Sequence, residues 1–319
     1  MYNVRKIAEN INTQGKFQGQ ILQDEPLAQR TTFKVGGNAA LFFEPQDIAS
    51  LQLCLKTIKA SETPFIVLGG GSNVVVPDEG LHYVVISSTA LSNITHKKAE
   101  TKTHLVCSSG CTIQQVTEYC NKHKLGGLEN FSGLPGTVGG ATYMNARCYE
   151  KSISDVIESV KYIQGQEATE KNYIYNHNDW DYKKSPFQNS LSGSIITEVT
   201  FNVIPLLTEE AVEESIKKAS SFLEDRRQKG HFKYPSAGSV FKNNRIFGQP
   251  SGKIIDQAGL RGIKIGGAQI APWHGNFIIN IGNATAKDIK SLVEKIIHQV
   301  QKSHGFTLEP EIIFLTSTL

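Results

Sequence analysis

Apolar positions along this chain change period every ten to twenty residues, so it reads as a series of distinct elements. From Ile48 they recur at 48, 51, 55 and 58, the spacing of one helix face, and the run Phe65–Leu68 that follows is continuous and β-prone. That run ends in Gly69, Gly70 and Gly71, which gives helix, strand and tight loop in succession. Residues 74–76 and 83–86 read as further short strands, and Thr112 with Gln115 has the form of a capping box opening a helix that stops near Gly126. Two β-rich runs, 153–163 and 195–203, flank a polar and aromatic stretch around 173–187, a pattern that predicts antiparallel pairing instead of βαβ units. Thr208 then caps a long helix with Val212, Ile216, Ala219 and Leu223 on one face, acids in its first turn and Gly230 past its basic end. A last helix over 285–304 turns Ile289, Leu292, Ile296 and Val300 inward, and 311–315 forms a closing strand. The predicted class is α+β, with the main domain boundary at Pro205, where the pattern changes.

Length and composition narrow the function. At 319 residues the chain holds two or three packed units, and 39% apolar against 20% charged residues places it among folded proteins. With 33 basic and 30 acidic residues there is no field to argue for nucleic acid or a membrane surface, although a local basic pocket is allowed. The five cysteines at 54, 107, 111, 120 and 148 form no CxxC pair and have no clustered histidines, so no metal site is expected and reduced thiols are the simplest account. The opening residues are charged and polar where a secretory signal needs an apolar core, and no apolar run reaches spanning length. A cytoplasmic location follows as the expectation.

Four segments carry candidate chemistry. Gly69-Gly70-Gly71-Ser72-Asn73 follows an apolar strand, and such a loop lets exposed backbone N–H groups bind a pyrophosphate without a cationic side chain. It matches neither GxGxxG nor a Walker motif, and a hairpin turn is the competing reading. The second, Gly133-Leu134-Pro135-Gly136-Thr137-Val138-Gly139-Gly140, is another backbone surface suited to something flat or anionic. Two such loops in one domain favour a large phosphate-bearing cofactor, and a flavin dinucleotide fits. In Pro235-Ser236-Ala237-Gly238-Ser239-Val240-Phe241-Lys242-Asn243, the absence of a G-x-S-x-G elbow disfavours acyl transfer. A hydroxyl there can instead protonate a carbanion, with Lys242 lowering the cost; a polar turn before a strand is the alternative. Glu311, at the start of the last strand, is either a solvated terminus or an inward acid; His274 and Asn276 are either ligand contacts or structural groups.

Taken in order, these segments resemble the UDP-N-acetylenolpyruvoylglucosamine reductase family. The resemblance runs from TTFKVGGNA at Thr31 to LEPEIIF at Leu308, through VLGGGSN, ENFSGLPGTVGGATYMNA, the YKKSPF segment at Tyr182, PSAGSVFKN, GKIIDQAGLRGIKIGGAQI and HGNFIIN. It implies a two-part FAD-binding domain of the p-cresol methylhydroxylase and vanillyl-alcohol oxidase type over 31–205, divided near 88. It further implies an N-terminal extension over 1–30, an α+β substrate-binding domain over 206–304, and a C-terminal strand over 305–319 returning to the flavin. Noncovalent FAD would lie on Gly69, Gly70, Gly71, Ser72, Asn73, Gly133, Pro135, Gly136, Thr137, Gly139 and Gly140, with NADPH as reductant. A UDP-sugar would be held by Tyr182, Lys242, Asn243 and Asn276. Hydride would pass to the β-carbon of the enolpyruvyl group, Ser239 would protonate the α-carbon, Glu311 would stabilise the enol form or orient the donor, and Lys183 would face the carboxylate. The expected protein is a monomer.

Two positions depart from the family pattern. Lys183 stands where the family usually has arginine, and a point charge is no substitute for a planar fork at a bidentate contact. Arg147, in a place commonly held by a small residue, is either a surface replacement or a new pocket cation. The short stretch between Tyr162 and Trp180 resembles the family's shorter subtype, which lacks a tyrosine-bearing loop over the nucleotide, so closure over the substrate must come from elsewhere. The alternatives are an oxidase of the same flavin superfamily, which the PSAGS serine and the C-terminal glutamate disfavour, and a silent flavin-binding protein.

Overall fold

The computed structural model describes residues 4–98, 102–165 and 167–318. They form two compact units, one of residues 1–22, 41–70 and 84–225, the other of 23–40, 71–83 and 226–319. The chain passes between them within the strands Gly19–Pro26, Asn38–Pro45 and Leu81–Ser87, between Gly70 and Gly71, and within the helix Glu209–Gln228. This division differs from the linear one with its boundary at Pro205. The reason is strand pairing that the local pattern does not show, because Val74–Val75 pairs in parallel with the C-terminal strand Ile313–Phe314. Asp78 also caps the helix Ala286–His304, its two carboxylate oxygens accepting the N–H groups of Ala286 (2.7 Å) and Lys287 (3.1 Å).

The first unit is built on an antiparallel sheet in the order Thr169–Ile174, Ile157–Gln164, Ile195–Pro205, Thr103–Ser108, Ile94–Lys98. Its buried face holds Leu105, Cys107, Val160, Val199 and Phe201, all at most 1% exposed. Ile195–Pro205 is central, and burial on this scale supplies about 1.5–3 kcal/mol per large side chain. The helix Ile113–Lys122 opens with the predicted Thr112–Gln115 box but ends at His123, short of Gly126. It stops early because Leu125–Gly126 pairs with Pro205 and Ile204. Likewise only Ile157–Gln164 of the run 153–163 is strand; Ile153–Asp155 is a 3₁₀ turn held by a Ser152–Asp155 box. On Glu209–Gln228, Val212, Ser215 and Ala219 are buried while Ile216 is 42% exposed, so the inward face is rotated from the one expected. The helix Val4–Thr13 buries Ile7, Ala8 and Ile11 and is part of the core of this unit; Met1, Tyr2 and Asn3 of the expected extension lie outside the described residues.

In the second unit, Ala286–His304 turns Ile289, Leu292, Ile296 and Val300 inward as its period predicts, each 0% exposed. It lies with the helix Ser251–Gln257 and the three-stranded sheet Lys264–Ile265, Ala268–Ile270, Ile278–Asn280 around one apolar cluster. All five cysteines are buried, and burial pushes the thiols of Cys54, Cys107, Cys111 and Cys120 up. No helix among the described residues is long and apolar enough to cross a membrane.

Candidate active site

Two glycine loops, more than sixty residues apart, meet in the first unit. A Cβ added at Gly69 would stand 2.5 Å from the Thr137 hydroxyl, and one at Gly70 only 2.8 Å from Gly136 Cα. Gly69 is therefore required by a neighbouring side chain and Gly70 by neighbouring backbone, which sequence alone does not distinguish from backbone against ligand. Gly133 and Gly136 are left-handed (φ +75° and +99°) with the exposed Pro135 between them. Thr137 caps the helix Val138–Tyr143, accepting from the Gly140 N–H, Gly139 packs on Ser109, and Gly140 is on the exposed side of the first turn. Beside this wall the hydroxyls of Ser109 and Thr142 are buried without a hydrogen-bond partner among the described residues. Such groups cost free energy unless something accepts from them.

The YKKSPF segment hangs from the far end of the same helix. The buried Asn145 donates its amide N–H to the Asp181 carbonyl (2.8 Å), and the Ser185 hydroxyl donates to the Tyr143 carbonyl (2.7 Å). Between these two anchors Tyr182 is exposed and Lys183 is left-handed at φ +57°, a conformation that costs a side chain about 1 kcal/mol or more and is typical of functional turns. The neighbouring Lys184 ammonium lies 3.6 Å from Asp181. Arg147 is half-buried and is bonded to Glu150, three residues on.

In the second unit, Gly71 is left-handed (φ +60°), and a Cβ there would lie 2.2 Å from the Arg30 carbonyl. The buried Thr31 beside it has a hydroxyl with no hydrogen-bond partner among the described residues. Ser72 is half-buried. Asn73, expected on the cofactor, spends its amide on the Glu311 carbonyl (3.0 Å), and its own carbonyl accepts from Ile313 (2.9 Å). The C-terminal strand thus returns to the residues directly after the triple glycine.

That same strand meets the serine segment. Phe241 bridges Pro310, the Glu311 N–H donates to the Val240 carbonyl at 2.7 Å, and the Lys242 N–H donates to the Glu309 carbonyl at 2.9 Å. Ser239 and Glu311, 72 positions apart, therefore lie on adjoining strands within one residue of register. Ser239 is exposed and lines a cleft of about 230 Å3 together with Asn243, Lys253, Asp256, Arg261, Trp273, His274 and Asn276. Two expectations need correcting here. The Lys242 ammonium pairs with Glu309, so its charge is not free to assist Ser239. Asn276 is 4% exposed and its amide binds the Phe241 main chain, donating to the carbonyl and accepting from the N–H, both at 2.8 Å. Its first role is thus to clamp the serine strand. His274 accepts the Asn276 N–H on Nδ1 (3.2 Å), which leaves Nε2 as the protonated nitrogen, and burial lowers its pKa. Sequence reasoning missed Lys253, Trp273 and the two-pronged bond from Arg261 to Asp256. The last pair is five residues apart, outside helical i+3 and i+4 spacing, so no local signal marked it.

Against known proteins, a family model described as FAD binding domain matches residues 39–170, and one described as UDP-N-acetylenolpyruvoylglucosamine reductase, C-terminal domain, matches 230–315. The UDP-N-acetylenolpyruvoylglucosamine reductase of Treponema denticola is 45% identical over 303 residues, covering 93% of this chain and 94% of the relative. That of Treponema pallidum is 35% identical over 324 residues, covering 91% and 92%. The crystal structure of MurB from Thermus caldophilus matches with a TM-score of 0.74 at 30% identity, over 94% of this chain and 100% of that one. FAD is the cofactor these matches give, and the side-chain-free wall with its unpartnered hydroxyls fits a dinucleotide held by backbone and hydroxyl groups. On this basis the chain belongs to the UDP-N-acetylenolpyruvoylglucosamine reductase family, enzymes that are FAD-dependent oxidoreductases.

Proposed function

We propose that this enzyme reduces the enolpyruvyl group of UDP-N-acetylglucosamine enolpyruvate to the lactyl group of UDP-N-acetylmuramate at the expense of NADPH, in the cytoplasmic supply of peptidoglycan precursors. The observation that supports the reading is the pairing of the 239–242 and 309–311 segments, which sets the backbones of Ser239 and Glu311 one residue apart in register, with Ser239 lining a cleft that also holds Lys253 and Arg261. When bound, FAD supplies the two-electron chemistry, taking reducing equivalents from NADPH and giving them to the enolpyruvyl β-carbon. The chain's own residues handle the charge that develops. Ser239 gives its proton to the α-carbon and regains one from solvent. Glu311 orients that hydroxyl or the enolic carboxyl, and both are effective because their backbones are fixed by ladder hydrogen bonds before substrate arrives. Tyr182 and Lys183 receive the carboxylate at a turn already held in its strained form. In the cleft, Lys253 and Arg261, the latter oriented by Asp256, suit the diphosphate of a sugar nucleotide, with Asn243 beside them.

Anaerobic absorption spectroscopy of the purified protein tests this. The protein is yellow, NADPH bleaches it, and UDP-N-acetylglucosamine enolpyruvate restores the colour. Ser239→Ala still bleaches but recolours roughly 10²–10⁴-fold more slowly, the usual share of a general acid. Recolouring that is equally fast without the enolpyruvyl nucleotide, or unaffected by Ser239→Ala, overturns the proposal.

A further inference from the structure

The sequence offers no tyrosine loop to fold over the nucleotide, and the second unit holds an aromatic group beside the Ser239 cleft that neither the catalytic residues nor the core accounts for. Trp273 lines that cleft and its ring is fixed from several sides. The backbone at Gly230 lies against the indole edge so closely that a Cβ there would sit 2.4 Å from Nε1. The Lys233 ammonium stands 4.9 Å from the ring centre, and the Tyr234 ring lies 6.1 Å away at an interplanar angle of 23°. Two rings of this segment stay in solvent, Phe232 at 52% and Tyr234 at 44% exposure. The indole Nε1 has no hydrogen-bond partner among the described residues, so the ring is not anchored there by its N–H. The ring lines the same cavity as Lys253 and Arg261.

We propose that Trp273, held by Gly230 and flanked by Lys233 and Tyr234, is the stacking surface for the uracil ring of the sugar nucleotide. This rests on the UDP-sugar reading above. A diphosphate met by Lys253 and Arg261 carries a ribose and a pyrimidine, and a flat apolar wall in the same cavity is what the base requires once its water is removed. Lys233 covers one face of the indole, so the base stacks on the other.

The test is calorimetric titration of the FAD-loaded full chain with UDP and with inorganic pyrophosphate, beside steady-state kinetics with the enolpyruvyl nucleotide. Trp273→Ala weakens UDP about tenfold, the order that base–aromatic stacking supplies, raises KM for the sugar nucleotide in step while kcat falls much less, and leaves pyrophosphate within about twofold. Trp273→Phe, which keeps a ring, recovers most of the UDP affinity. UDP binding that does not change in Trp273→Ala, or a loss shared equally by pyrophosphate, overturns the stacking surface while normal turnover leaves the reductase reading intact. Wild-type protein that binds UDP in a Trp273-dependent way yet does not turn over the enolpyruvyl nucleotide supports the surface and removes the reductase reading. No UDP binding by the wild type removes both.

Discussion

Replacing Asn276 with alanine separates a clamp from a substrate ligand. The side chain is 4% exposed and both of its polar atoms bond the main chain of Phe241, itself 1% exposed. Truncation removes two hydrogen bonds and leaves a buried N–H and a buried C=O unpaired, each worth about 1–3 kcal/mol. The expected loss is therefore about 2–6 kcal/mol, read from urea unfolding of the FAD-loaded protein at neutral pH. A consequence in activity follows from the strand: Phe241 bridges Pro310, and Val240 accepts from Glu311, so loosening Phe241 loosens the register that sets Ser239 beside Glu311. The variant should lose kcat at saturating substrate, below the temperature at which it unfolds. A ligand role predicts the reverse, stability within about 0.5 kcal/mol of wild type, as for ordinary surface substitutions, and a raised KM with kcat kept. That second outcome would refute the clamp.

Lys183 sits at φ +57°, so Lys183→Gly releases backbone strain while giving back part of the gain through the looser unfolded chain. The expected variant is between equal to wild type and about 1 kcal/mol more stable in thermal unfolding, with turnover and substrate affinity reduced; unchanged kinetics would remove Lys183 from the carboxylate. His274 gives a pH dependence of defined sign. Burial lowers its pKa in the folded protein below the ordinary 6.5, so between 6.5 and the folded value the unfolded chain binds more protons and stability falls as pH drops. His274→Gln should flatten the stability profile through that window, and a variant whose profile still tracks the wild type there would show that another group is responsible.

Much of the fold was readable because helix periods and caps are local: Thr112 with Gln115 and Thr285 with Asp288 both form capping boxes. What was not readable depends on partners distant in sequence. The triple glycine looks like a ligand cradle from composition, yet Gly69 and Gly70 owe their lack of side chains to Thr137 and Gly136. A glycine demanded by another backbone and one demanded by a phosphate are the same letter. The resemblance assigns Asn73, Asn276 and Lys242 to ligands, and in the structure each side chain also bonds the protein, through the Glu311 carbonyl, the Phe241 main chain and the Glu309 carboxylate. These three lie on or beside the paired segments that carry Ser239 and Glu311. The segments most conspicuous in the sequence are thus partly the scaffold of the chemistry, with polar side chains spent on holding register so that a few others are left to face a ligand. A strand of two residues, Ile313–Phe314, cannot hold a catalytic geometry by its own ladder. The side-chain clamps from Asn73 and Asn276 fix what so short a ladder leaves free, so loss of either should cost activity before any contact with substrate is removed.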